Sequence, residues 1–251
     1  PGIGKTHIVE QIVAECGADI IIMHPSVGDP TDYKGMPWIV GGQAEFLPFG
    51  ELRRLNEATK LTVCFIDDLG QATPQVQAGV MQMLDRYRHQ KHISFLAATN
   101  RRTDRAGVSG ILEPVKSRFD AIVELRADPK SWGAWAEDHD IDFRLLAYLR
   151  DAQPDALHKF TPTADIVNQP CPRTWESADS ILKMDIPNED VRFAMFAGAV
   201  GDAAATGFTA FLKIADQAPS ADEIIADPHN TRLPSEPSAV VVGSSKRMSM
   251  S

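Results

Sequence analysis

Cysteine is scarce in this chain of 251 residues: Cys16, Cys64 and Cys171 are odd in number and far apart. That excludes a scaffold stapled by disulfides, and no Cys/His spacing resembles a zinc site, so the thiols are expected to be reduced and the protein cytoplasmic. Long apolar runs are also missing. The stretch IVEQIVAECGADIIIM is broken by Glu10, Glu15 and Asp19 and is too short and too charged to span a bilayer, so no membrane association is expected. No secretory leader is visible, although the chain does not begin with Met. Positive charge is in deficit, with 25 Lys and Arg against 34 Asp and Glu, a net charge of −9. This argues against a broadly basic nucleic-acid surface while leaving room for a local basic stripe. No internal repeat is found.

What is present alternates short apolar runs with amphipathic stretches. Lys5 to about Cys16 reads as a helix, with Ile8, Val9, Ile12 and Val13 on one face and Gly17 as its stop. DIIIMH (19–24), LTVCFIDD (61–68), HISFLAATN (92–100) and AIVEL (121–125) read as strands buried on both faces. ELRRLNEA and residues 75–88 read as helices, the latter with Val76, Val80, Met83, Leu84 and Tyr87 on its apolar side. The Gly- and Pro-rich segment PSVGDPTDYKGMPWIVGGQAEFLPFG is expected to be largely irregular. This order predicts an α/β fold with a parallel sheet covered on both sides. After about Asp128 strand-like runs vanish, and FRLLAYLRDA, RTWESADSILKM, EDVRFAMFAGAV and AATGFTAFLKIA read as helices. The expected organisation is an α/β domain over 1–128, a smaller helical domain over 129–216 and a loosely ordered Pro/Ser-rich tail over 217–251.

Open α/β sheets bind ligands at the carboxyl ends of their strands, where this sequence concentrates polar groups. PGIGKT matches the second half of a phosphate-binding loop, G-x-x-x-x-G-K-[ST]. In such a loop Gly2 and Gly4 let backbone N–H groups close on phosphate oxygens, Lys5 reaches the β/γ-phosphates and Thr6 ligates Mg²⁺. A plain turn opening a helix is the competing reading. LTVCFIDD delivers Asp67 and Asp68 to the same edge, one suited to a metal's water shell and the other to orienting or deprotonating a water. Either acid in isolation reads equally as a solvated turn or a helix cap. Asn100 suits a sensor of the γ-phosphate, and Asn is also a common strand terminator. Arg101, Arg102, Arg105 and Arg118 follow as a basic cluster, any one of which, aimed across a subunit interface, stabilises phosphoryl-transfer charge. In CPRTWES, Pro172 suits the first helical position, so Arg173 projects from a first turn.

Taken in this order, the motifs resemble those of the AAA+ ATPases: Walker A (PGIGKT), Walker B (CFIDD), sensor 1 (Asn100), an arginine-finger box (SRFD) and sensor 2 (PRTW). DDLGQATPQVQAGVMQML, ATNRRTDRAGV and PRTWE are similar to stretches in the MoxR-like, dynein-related branch. The resemblance covers roughly residues 1–216. It implies a P-loop NTPase sheet followed by an all-α lid, with ATP and Mg²⁺ as cofactors. It assigns nucleotide binding to Gly2, Ile3, Gly4, Lys5, Thr6 and Arg173, metal binding to Thr6 and Asp67, and catalysis to Asp68, Asn100 and Arg118, with Arg105 the other candidate for the trans-acting finger. It further implies a homo-oligomeric ring, a hexamer in the full-length protein, and a protein client remodelled in a chaperone-like way.

Two departures qualify the resemblance. Asp68 stands where the family usually has Glu, one methylene shorter, so slow hydrolysis is expected. The first Gly of the loop and the first core strand are missing from the sequence. In the family that strand lies between those ending in Asn100 and Leu125, and at roughly 1–3 kcal/mol per unpaired backbone group its lack predicts an unstable chain or poor ATP binding. Tyr33, Met36 and Trp38 lie in the segment that grips substrate in ring-forming relatives, but packing of this loop onto its own domain by Met36 and Trp38 is the preferred reading. An AAA+ motor on nucleic acid is disfavoured by the acidic balance, a nucleotide-binding module without turnover remains an alternative, and a small-molecule P-loop kinase fits less well because it needs no Arg173-bearing helical lid.

Overall fold

Three parallel strands lie at the heart of the first unit: β1 (Asp19–Met23), β4 (Thr62–Ile66) and β5 (Ile93–Ala97), in the order β1-β4-β5. The ladder runs from Asp19 opposite Thr62 to Met23 opposite Ile66, and from Thr62 opposite Ile93 to Ile66 opposite Ala97. The structure, a computed structural model, describes residues 1–104 and 107–217; Arg105 and the tail beyond residue 217 lie outside the described residues. The chain divides into two units, one holding Ile3–Leu125 and the other starting at Arg126.

The middle strand β4 is apolar because it is covered on both faces: Cys64, Phe65 and Ile66 are almost wholly buried. Burial pushes the Cys64 thiol up to about 12, leaving it inert. Buried Thr62 turns its hydroxyl to the Lys60 carbonyl at 3.0 Å, so no polar atom is left stranded there. Helix α1 (Lys5–Glu15) precedes β1, and helix α4 (Pro74–Tyr87) links β4 to β5. Thr73 caps α4 by accepting from the Val76 N–H, and Pro74 takes the first helical position. The predicted stripe of Val76, Val80, Met83, Leu84 and Tyr87 is buried as expected.

Between β1 and β4 the chain is more regular than its composition predicts. Helix α2 (Pro30–Lys34) opens on Asp29, which accepts from the Thr31 N–H, and α3 (Gly50–Asn56) buries Leu52 and Leu55. Between them stands an antiparallel hairpin, β2 (Met36–Val40) with β3 (Gln43–Leu47), turning on Gly41 and Gly42. Their φ values of 58° and 85° are those a two-residue hairpin turn of the primed type demands. The hairpin's ends meet at Gly35, φ 102°, where a Cβ would lie 2.7 Å from the Leu47 carbonyl oxygen.

Two expectations fail in this unit. Ala121–Leu125 forms no strand, and Ile122 and Val123 are 76% and 84% exposed. An apolar run becomes a strand only with a neighbour to complete its ladder, and β5 is the edge of its sheet among the described residues. Of the apolar face of α1, Val13 is buried and Val9 half-buried, while Ile8 and Ile12 are exposed.

A short helix, α5 (Glu113–Lys116), is the last in the first unit, and the regular structure of the second unit is all helical among the described residues. It comprises α6 (Pro129–Asp138), α7 (Phe143–Ala147), α8 (Pro172–Leu182), α9 (Glu189–Val200) and α10 (Asp202–Gln217). A π-helical turn, 148–152, extends α7. The core of this unit is an aromatic cluster in which Trp175, Tyr148, Phe196 and Phe208 meet with ring centroids 5.3–5.8 Å apart. The indole N–H of Trp175 donates to the Ala156 carbonyl at 2.8 Å, so the largest buried side chain is also satisfied. No helix among the described residues is long and apolar enough to cross a membrane.

Candidate phosphate-binding and catalytic site

The site is assembled from three chain segments at the carboxyl ends of β4 and β5. Gly2 and Gly4 have φ of 69° and 80°, and Gly4 ends the loop as the left-handed N-cap of α1. This alternation turns successive N–H groups inward, the arrangement that suits an anion, and α1 aims its positive end the same way. Lys5 and Thr6 follow as the first two residues of α1.

At the end of β4 the Asp67 N–H bonds the Met23 carbonyl at 2.9 Å, which holds the two acids in the sheet's frame. The Thr6 hydroxyl donates to Asp67 Oδ2 at 2.6 Å. The other oxygen, Oδ1, accepts the Asp68 backbone N–H at 3.0 Å. Asp68 itself is left-handed, φ 54° and ψ 33°, a conformation that Asp tolerates better than most residues. At the end of β5, Asn100 Oδ1 accepts from Lys5 Nζ at 2.8 Å, and its Nδ2 reaches toward Asp68 Oδ1 at 3.4 Å. All of these residues are half-buried. Lys5, Thr6, Asp67, Asp68 and Asn100 thus form one hydrogen-bonded constellation from three distant stretches of sequence, with the glycines and Ile3 in the adjoining loop.

A second group of side chains keeps the constellation in place. Leu69–Gln71 forms a 3-10 turn whose Leu69 N–H bonds the Ala98 carbonyl at 3.0 Å. Gly70 is buried so closely under Thr99 that an added Cβ would lie 2.3 Å from Thr99 Oγ1. The Gly70 carbonyl accepts from the N–H groups of Ser109 and Gly110 at 3.1 and 3.2 Å. Buried Gln77 on α4 donates to the Ala72 and Gly110 carbonyls at 3.0 and 2.9 Å and accepts the Leu112 N–H at 2.9 Å. The sequence reading missed Gly70 and Gln77; a polar residue on the apolar face of α4 was the available signal.

The other predicted residues take no part in these side-chain hydrogen bonds. Arg118 makes a two-pronged ion pair with Asp85 of α4, at 2.8 and 2.7 Å, and also donates to the Pro114 carbonyl. The guanidinium holds the Asp85 carboxyl below the usual carboxylate range. Arg101 pairs with Glu124 at 2.9 Å and Asp104 at 3.3 Å, which makes it a local strut, and Arg102 is exposed. Arg173 lies exposed on the first turn of α8 in the second unit. Tyr33 is 2% exposed and part of the first core, so it has no free surface for gripping a partner, whereas Met36 and Trp38 on the hairpin are 47% and 64% exposed. The reading of Met36 and Trp38 as packing residues is therefore overturned too.

The donor set fits Mg²⁺. Among the described residues no group of three or more His, Cys, Asp or Glu side chains could cage an ion. Thr6 Oγ1 and Asp67 Oδ2 are instead two adjacent oxygens that could serve as ligands, the sparse set typical of a cation that keeps waters and binds substrate phosphates.

Comparison with solved structures finds similar folds in RuvB proteins of Thermotoga maritima. One point mutant of that protein is 16% identical with a TM-score of 0.46, covering 91% of this chain and 71% of that one. A second point mutant is 15% identical with a TM-score of 0.43 and the same coverage. The RuvB Holliday junction branch migration motor, also 15% identical and with that coverage again, has a TM-score of 0.42. Comparison with curated proteins gives no match. The family described as ATPases associated with various cellular activities (AAA), whose general chemistry is ATP binding and hydrolysis, matches residues 1–127, and the chain belongs to that family.

Proposed function

We propose that this protein is a MoxR-like ATPase that hydrolyses ATP with Mg²⁺ and uses the turnover to remodel a protein partner from within a homo-oligomeric ring. The observation that supports it best is the convergence of Thr6 on Asp67 and of Lys5 on Asn100, at 2.6 and 2.8 Å. In this reading the N–H groups of Gly2, Ile3 and Gly4 and the Lys5 ammonium bind the phosphates, and Thr6 and Asp67 hold the metal. When bound, Mg²⁺ neutralises charge on the phosphate oxygens. The Asp68 N–H fixes the Asp67 carboxylate, and the Asp68 carboxylate orients the attacking water and accepts its proton at Oδ1 or Oδ2. Asn100 turns its amide toward Asp68 and its carbonyl toward Lys5, so it can register a phosphate that draws the lysine away. The short side chain of Asp68 makes turnover slow relative to a Glu at the same position. Arg118 serves a neighbouring subunit's site after exchanging Asp85 for phosphate, and Arg173 contacts the nucleotide as sensor 2.

Steady-state ATPase and nucleotide titration of the wild type and Asp68→Asn test this. Loss of a general base lowers kcat by about 10²–10⁴-fold with nucleotide affinity retained. An unchanged rate removes Asp68 from the chemistry. Stoichiometric binding without wild-type turnover favours a nucleotide-binding module, and stimulation by DNA in place of a protein client favours a nucleic-acid motor.

A further inference from the structure

The hairpin of β2 and β3 is exposed at every residue, including Met36, Trp38, Ile39, Val40, Phe46 and Leu47. Its two edges are not equivalent. In a hairpin with a two-residue turn the flanking residues, Val40 and Gln43, exchange ladder bonds, and so does every second pair beyond them. The intervening pairs, Ile39 with Ala44 and Pro37 with Phe46, therefore turn their backbone groups away from the hairpin. On β2 one of those outward positions is Pro37, which has no N–H to offer, and that edge is blocked. On β3 the outward N–H and C=O groups of Ala44 and Phe46 are intact, and the sheet has only two strands among the described residues.

We infer that the outer edge of β3 takes up an extended polypeptide segment as an antiparallel third strand, one with a basic residue between two apolar ones. The unpaired backbone groups specify an extended chain as the occupant. Charge specifies its pattern. Glu45 is exposed and in no ion pair among the described residues, so the residue opposite it is best basic. Ala44 and Phe46 present the other face, where Lys34 Nζ already lies 5.8 Å from the Phe46 ring centroid; apolar side chains match there and a second cation does not. The inference rests on the remodelling reading only for why a polypeptide client should be present.

The test is fluorescence anisotropy of the whole protein, without nucleotide, with labelled Thr-Thr-Val-Lys-Val-Thr-Thr. The peptide binds the wild type. Ala44→Pro removes an outward N–H at a kind of position where β2 already accommodates proline, and weakens binding by about tenfold. N-methylation of both valines abolishes binding, N-methylation of the lysine spares it, and Glu45→Lys shifts the preference to a peptide with Glu in place of Lys. Failure of the wild type to bind, or binding indifferent to both Ala44→Pro and valine N-methylation, overturns the inference. Lack of ATP turnover leaves a positive peptide result standing, and lack of peptide binding leaves the ATPase reading intact.

Discussion

Replacing Gly70 with Ala adds one methyl group where the structure has no room for it. The new Cβ would lie 2.3 Å from Thr99 Oγ1, 3.0 Å from Val108 Cγ1 and 3.3 Å from Thr99 Cβ. Ordinary carbon contact begins near 3.4 Å, so Thr99 must withdraw by about 1 Å. Rotating the hydroxyl away instead gives up its 3.0 Å bond to the Asn100 carbonyl. Either response disturbs the support of Asn100, whose side chain meets Lys5 and Asp68. A displacement of about 1 Å at a positioning group costs about a hundredfold in rate, and overpacking a filled core costs about 1–3 kcal/mol of stability. The assay is kcat for ATP hydrolysis alongside a thermal melt. Gly70→Ala should lose most of its turnover and melt several degrees lower. Thr99→Ala in the same chain should restore part of both, because the clashing oxygen is gone. Unchanged kcat and melting temperature in Gly70→Ala, or no recovery in the double variant, would refute the reasoning.

Two further outcomes follow from α4. Asp85 is depressed by Arg118, so the stability from their pairing is present above the unfolded carboxylate range and is lost as pH falls through the lower folded value. NMR titration should show Asp85 protonating at lower pH in the wild type than in Arg118→Ala; equal midpoints would mean the pair does not persist in solution. Gln77→Leu leaves the Ala72 and Gly110 carbonyls and the Leu112 N–H without their partner, at about 1–3 kcal/mol for each group that water does not reach. Denaturant unfolding should show that loss, with faster hydrogen exchange at Leu112, and an unchanged midpoint would assign Gln77 no structural role.

Much of the site was legible because its chemistry repeats at strand ends. An apolar strand stops where a polar residue can reach water, so Asp67, Asp68 and Asn100 declare themselves by following LTVCFI and ISFLAAT. The apolar stripe of α4 was legible for a similar reason, since burial selects every third or fourth residue. The hairpin was hidden by the habit of reading Gly and Pro as irregular, although Gly41 and Gly42 between two apolar runs are a hairpin signal. Residues 121–125 misled in the opposite direction, because apolar composition reports a preference for burial and says nothing about whether a partner strand is at hand. Tyr33 misled because an aromatic in a loop looks available until the fold tucks it under α4. The role of Gly70 is a tertiary fact, visible only once β5 and the 107–112 segment lie beside it, whereas Gln77 stood out as a polar residue on an apolar face and only its partners were hidden.

The meeting of the hairpin's two ends at Gly35 and the Leu47 carbonyl has a consequence for how such a protein diversifies. Because entry and exit share one point, β2, β3 and their turn form a detachable cassette hung between α2 and α3. Mutation can lengthen, recolour or exchange that cassette while the strands that carry Asp67 and Asn100 keep their spacing. The hairpin and the strand ends that bear Asp67 and Asn100 are thus free to change at different speeds within one chain.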